Sequence, residues 1–261
     1  MKKLLVLIFI FAALCVSADS NVIREGMIET TVLIFKQGGW TIDSWIGSGV
    51  IVSPDGYIVT NRHVAGYYLE KDGVDELGND KYKIMGGGQK LTVYHNSWGY
   101  GGCRVVAVSN DINRDLALIK IEGVEDFKYA EMAIIKNMYL GDTVYSVGHP
   151  HGIMWTITKG SITNFLELLD HNKWILHDSS INPGNSGGPL FDEFGRIVGL
   201  NFAVVPPGAA ENMSIAIDAR IVALFVELAI EFDLKRMMVM SEGDFRETPR
   251  SNYYKGYWYE Y

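Results

Sequence analysis

Ser186 lies in the string Asn182-Pro183-Gly184-Asn185-Ser186-Gly187-Gly188-Pro189. Glycines on both sides of a serine allow a strained turn that exposes the hydroxyl, and they leave backbone N–H groups free to face an oxyanion. That makes Ser186 a candidate nucleophile for acyl transfer. By itself the string also fits a glycine-rich turn with an incidental serine, so the partners such a nucleophile needs decide between the two.

The string satisfies G-x-S-x-G, the turn that carries the serine of α/β-hydrolases, in which the acid and then the histidine follow the serine along the chain. All six histidines of this chain, at 63, 95, 149, 151, 171 and 177, precede Ser186. The order left open is histidine, aspartate, serine. His63, in Thr60-Asn61-Arg62-His63-Val64, directly follows a β-type run. Asp115, in Asn113-Arg114-Asp115-Leu116-Ala117-Leu118, stands at the mouth of a strongly apolar one. A carboxylate beside that much buried surface needs a hydrogen-bonding partner, which an imidazole N–H would supply. Asp111 competes for the role, although its surroundings are a polar turn.

The elements that must hold these residues are short strands. Period-two or continuous apolar runs at 31–35, 49–52, 57–60, 104–108, 116–121, 143–147 and 196–200 are separated by turn signals such as Ser53-Pro54-Asp55-Gly56. Their spacing predicts an all-β sandwich or barrel, and 28 glycines agree with many tight turns. One helix is predicted late, with Asp218 as N-cap and Ile221, Val222, Leu224, Phe225, Leu228, Ala229 and Phe232 on its core-facing side. Residues 66–102, charged and then carrying Gly86-Gly87-Gly88, read as an insertion into the β core.

Residues 1–18 read as a signal peptide. Lys2 and Lys3 precede an apolar run from Leu4 to Val16, and Val16-Ser17-Ala18 offers cleavage before Asp19. Removal takes the formal charge from −8 to −10, which disfavours nucleic acid or an anionic membrane as partner. Cys103 is then the one cysteine left, so no internal disulfide is expected, and its neighbours suggest an inert buried thiol. At 261 residues the chain suits one large domain or two coupled ones. Its polar, then tyrosine-dense end at 241–261 is expected to dock on something, and a homo-oligomer stays open.

Four blocks together resemble the protease domain of HtrA/Deg-type serine endopeptidases: Gly47-Ser48-Gly49-Val50-Ile51-Val52, Asp55 to Val64, Arg114 to Leu118 and Ile181 to Pro189. The resemblance covers about residues 28–232. It implies two antiparallel six-stranded β-barrels, here 19–130 and 131–240, with a C-terminal helix. It implies His63 as general base, Asp115 as its orienting acid, Ser186 as nucleophile, and the amides of Gly184 and Ser186 as oxyanion hole. The expected activity is cleavage of polypeptides, unfolded or damaged ones, outside the cytoplasm, with no cofactor and no metal. The residue six before the serine, Ser180, is expected at the base of the specificity pocket. Phe202, Ala203, Val204 and Val205 are expected along a substrate-pairing strand, and together these imply cleavage after small or medium apolar residues. Asp178 is the neighbour that would admit a basic side chain if it turned toward the pocket.

The chain departs from the family pattern in the long interval between His63 and Asp115, in the absence of room for a PDZ domain, and at Gly148-His149-Pro150-His151-Gly152. The last departure raises a zinc site built from His149, His151 and either His171 or His177. The missing HExxH and the lack of structural zinc spacing favour hydrogen-bonded or solvated loop histidines. A non-catalytic scaffold on the same fold is the other alternative.

Overall fold

The computed structural model describes residues 21–36, 46–76, 78, 80–123, 126–133, 138–167, 173–204 and 213–241. A helix at 21–29, α1, leads into fourteen strands. These are β1 (Thr31–Lys36), β2 (Ile46–Ile51), β3 (Tyr57–Thr60), β4 (Tyr67–Val74), β5 (Asp80–Gly86), β6 (Leu91–His95), β7 (Gly99–Val108) and β8 (Ala117–Ile121), followed by β9 (Thr143–Gly148), β10 (Thr156–Glu167), β11 (Lys173–His177), β12 (Pro189–Asp192), β13 (Ile197–Val204) and β14 (Ser214–Asp218). Helix α2 (Ala219–Ser241) closes the described chain.

Two closed antiparallel barrels of six strands result, in the orders β1-β2-β3-β8-β7-β6 and β10-β11-β14-β13-β12-β9. This is the expected all-β architecture with a C-terminal helix. Closure leaves neither barrel with a free edge.

Alternation along the strands feeds two cores at once. On β3, Ile58 enters the interior of the first barrel, while Tyr57 and Val59 join an apolar layer between the barrels. On β8, Leu118 faces that layer and Ile119 and Ile121 face inward. The second barrel contributes Val147, Phe191, Ile197, Leu200 and Ile217 to the layer, and α2 seals it with Val222, Phe225, Val226 and Ala229. Side chains of this size stabilise by about 1.5–3 kcal/mol each when fully buried. The relative position of the barrels is therefore fixed by packing.

Asp218 caps α2 as expected, its Oδ1 accepting the Arg220 N–H at 2.8 Å. The buried face differs from the expected stripe. Leu224 is 51% exposed, whereas Asp233 is buried, accepting Tyr57 Oη–H at 2.7 Å and the Arg104 guanidinium at 2.9 and 2.6 Å. This ion pair fastens α2 to the first barrel.

The segment 66–102 divides in two. β6 and the start of β7 are barrel strands, and only the β4–β5 hairpin, paired from Tyr67↔Gly86 to Val74↔Asp80, lies outside the barrels. The expected signal peptide and the tyrosine-dense tail lie outside the described residues.

Candidate active site

His63 follows β3 in a tight turn, with its carbonyl accepting Gly66 N–H at 3.1 Å. Three consecutive residues of this turn grip the segment ending at Asp115. Asn61 Nδ2 donates to the Asp115 carbonyl oxygen at 2.8 Å. Arg62 Nη1 reaches the carbonyls of Ser109, Asp111 and Arg114 at 2.8, 3.1 and 3.1 Å. His63 meets both carboxylate oxygens: its backbone N–H donates to Asp115 Oδ1 at 3.1 Å, and its ring Nδ1 is hydrogen-bonded to Oδ2.

A carboxylate only accepts at neutral pH, so Nδ1 carries the proton and Nε2 is left with a free lone pair. The ring remains partly open to solvent while Asp115 is buried. Asp111, the competing acid, instead pairs with Arg114 Nε at 3.1 Å.

Ser186 sits three residues before β12, on a turn strapped to the first barrel. Its carbonyl accepts Ser48 N–H from β2 at 2.9 Å. Gly187, at φ +79°, lies so close to the end of β3 that an added Cβ would stand 2.9 Å from Asn61 N and collide with Thr60 Oγ1 and the Ser48 carbonyl. Only glycine permits this approach. The residue after the serine is thus packed against the end of β3, where the turn that bears His63 begins. Among the described residues, no hydrogen bond yet joins Ser186 Oγ to the His63 ring.

The Pro183–Gly184 peptide has a defined orientation. Its carbonyl accepts His151 N–H at 2.8 Å. In a trans peptide C=O and N–H point in opposite directions, so the Gly184 N–H faces away from His151. Asn185 N–H is spent on the Asn182 carbonyl at 2.9 Å. Among the described residues, the N–H groups of Gly184 and Ser186 donate to nothing, as an oxyanion site requires.

Ser48 and His149 hold this turn from below. Ser48 Oγ donates to the Gly184 carbonyl at 2.7 Å and lies 3.0 Å from His149 Nδ1. Its single hydrogen being used, Ser48 accepts from His149 Nδ1–H, and also from His149 N–H at 3.2 Å. His149 is fully buried, and burial pushes its pKa down to about 3. His177 is likewise buried and depressed to about 4, chiefly by desolvation. Its Nδ1 meets Ser179 Oγ at 2.7 Å, in a chain that continues through Ser146 to Asn201 Oδ1.

His149 and His177 are therefore structural hydrogen-bonding groups with different partners, and His151 is exposed. Among the described residues, no group of three or more His, Cys, Asp and Glu side chains could hold a metal ion; His171 lies outside them. Cys103 is partly buried, with its thiol pushed up to about 12, which leaves it no nucleophilic thiolate.

At the expected specificity pocket, the Ser180 carbonyl accepts Thr158 Oγ–H at 2.8 Å. One oxygen of the exposed Asp178 carboxylate, Oδ1, accepts Ser161 N–H at 2.6 Å. Phe202 stands 6.1 Å from the Trp174 ring, and Trp174 Nε1 donates to the Asn113 carbonyl at 3.3 Å. Trp174 thereby bridges the barrels beside Asp115, a role its place in the sequence did not reveal; a tryptophan flanked by lysine and isoleucine reads as one more core residue. Ala203 and Val204 lie on β13, paired with Ile215 and Ser214, and Val205 lies outside the described residues.

With this geometry in view, the relatives are informative. A family model described as a trypsin-like peptidase domain matches residues 47–200. A probable periplasmic serine endoprotease DegP-like from Chlamydia pneumoniae is 34% identical over 163 residues, 61% of this chain and 29% of the relative. One of the same description from Marinomonas sp. is 32% identical over 191 residues, 70% of this chain and 35% of the relative. The chain spans about a third of the length of the curated relatives it matches. Among solved structures, the HtrA-type protease AlgW with tripeptide superposes with a TM-score of 0.62 at 24% identity, over 80% of this chain and 64% of that one. This last likeness bears on the fold.

Proposed function

Because the chain belongs to the trypsin-like peptidase domain family, we propose that it is a serine endopeptidase acting through His63, Asp115 and Ser186. Ser186 Oγ attacks the scissile carbonyl and His63 Nε2 takes its proton, later returning it to the leaving amine. Asp115 holds the ring as the Nδ1–H tautomer and stabilises the imidazolium that forms. The N–H groups of Gly184 and Ser186 receive the oxyanion. The observation that carries this reading is the bidentate seat of Asp115 on His63, ring and backbone together. A Ser186–His63 hydrogen bond that tightens only with substrate bound is ordinary for such sites.

The substrates are polypeptides, unfolded or damaged ones, met after export past a signal peptide at 1–18. Support for this comes from the relatives, which are named periplasmic serine endoproteases. Mature protein incubated with a reduced, carboxymethylated protein should cleave it. Ser186→Ala and His63→Ala should each reduce kcat by roughly a thousandfold or more. Full activity in Ser186→Ala, or its loss to chelators in the native protein, would overturn the assignment.

A further inference from the structure

Asp115 is buried, and a buried carboxylate needs a counter-charge. His63 cannot be the permanent one, because a general base must be neutral before it accepts the proton. Arg62 is buried too, stays protonated at any working pH, and brings Nε within 3.7 Å of Asp115 Oδ1. That distance makes an ion pair and not a hydrogen bond, and Arg62 Nε has no hydrogen-bond partner. The other end of the guanidinium holds three carbonyls of the 109–114 turn. Among the described residues, the other charged groups facing this site are Asp111 and Arg114, which pair with each other; Asp111 also acts on the Arg62 charge, and Arg62 is left as the cation paired with Asp115.

We propose that Arg62 is a positioning residue of the proteolytic site, clamping the Asp115 turn and supplying the fixed positive charge that balances the Asp115 carboxylate. The inference rests on the assignment of His63, Asp115 and Ser186 given above. Its two parts separate by chemistry. The clamp needs a planar fork of donors, whereas the balancing charge needs only a cation. With the cation removed, the unbalanced carboxylate holds a proton on His63 more strongly, so the base is lost at a higher pH.

The test is the rate at which a fluorophosphonate probe labels the full mature protein, followed from pH 5 to 9 in the wild type, Arg62→Gln and Arg62→Lys. Arg62→Gln should move the acid limb upward by about half a pH unit or more. Arg62→Lys should lower the rate several-fold at every pH, through loss of the fork, while the limb stays in place. An unmoved limb in Arg62→Gln, or an equal upward shift in Arg62→Lys, overturns the proposal. If Arg62→Gln does not fold, Arg62→Met is read in its place: an upward shift of the limb supports the proposal and an unmoved limb overturns it. A wild type that takes no label would instead defeat the assignment of the three residues.

Discussion

The backbone N–H of Ser48, on β2 of the first barrel, donates to the carbonyl oxygen of Ser186 in the second at 2.9 Å. The same residue's hydroxyl donates to the Gly184 carbonyl at 2.7 Å. One residue of one barrel therefore fixes the nucleophile turn of the other at two points, on either side of Asn185. The relative placement of base and nucleophile becomes a property of this seam as well as of the apolar layer beneath it.

Ser48→Ala keeps the backbone bond and removes the hydroxyl. Three groups then lose their partner, the Gly184 carbonyl, His149 Nδ1–H and the His149 backbone N–H. Stability should fall by about 1–3 kcal/mol. Turnover should fall about tenfold to a hundredfold with KM little changed, because the oxyanion donors are loosened and the substrate contacts are not. Steady-state kinetics on a peptide substrate with parallel denaturant melts would check both.

Stability should depend steeply on pH in the mildly acidic range. His149 and His177 are depressed to about 3 and about 4, below the ordinary value of about 6.5 in the unfolded chain. As pH falls below about 6.5 the unfolded state takes up protons that the folded state refuses, so folding weakens down to the depressed values. With both residues contributing, the slope approaches about 3 kcal/mol per pH unit. Urea unfolding at pH 7, 6 and 5 measures it, and His177→Gln should flatten the dependence.

The attachment of α2 can be tested at Asp233. Asp233→Ala removes the acceptor of the Tyr57 hydroxyl and the shorter of two Arg104 ion pairs, leaving Glu122 at 3.6 Å, and should cost about 1–3 kcal/mol. Tyr57→Phe leaves the ion pair intact and should cost about 1 kcal/mol. The double variant should be less destabilised than the sum, since both changes dismantle one network.

Cleavage should fall after small or medium apolar residues such as Val, Ala and Ile. Ser180 carries no charge, and the Asp178 carboxylate is engaged by Ser161 N–H on β10. A Lys side chain would enter unpaired, at a cost of a few kcal/mol, on the order of a hundredfold in rate or more. Sequencing the products of an unfolded protein substrate checks this, and cleavage mainly after Lys or Arg would refute it.

What could be read in the sequence was whatever leaves a periodic or local trace. Strands such as β3, β8 and β12 place successive apolar residues in two different cores and so show as short apolar runs, and Asp218 announces its helix by position. β4 and β5 leave no such trace, being largely exposed on both faces, so their hairpin merged with β6 and β7 into one apparent insertion. Asp233 reaches Tyr57 across 176 positions, a pairing without any period, and the apolar-stripe reading favoured Leu224 in its place. His63, Asp115 and Ser186 stood out as candidates because each combines a reactive side chain with a turn or strand boundary. Arg62 was adjacent to them yet unread. The available clue was a lone charge closing an apolar strand, which has to find several acceptors if it is buried.

The most direct test of the account is covalent labelling. Mature protein treated with a fluorophosphonate at pH 8 should gain one adduct by intact mass, and peptide mapping should place it on Ser186, with His63→Ala labelling at least a hundredfold more slowly. An adduct on another residue, or equal labelling of Ser186→Ala, would contradict the assignment of Ser186 as the nucleophile.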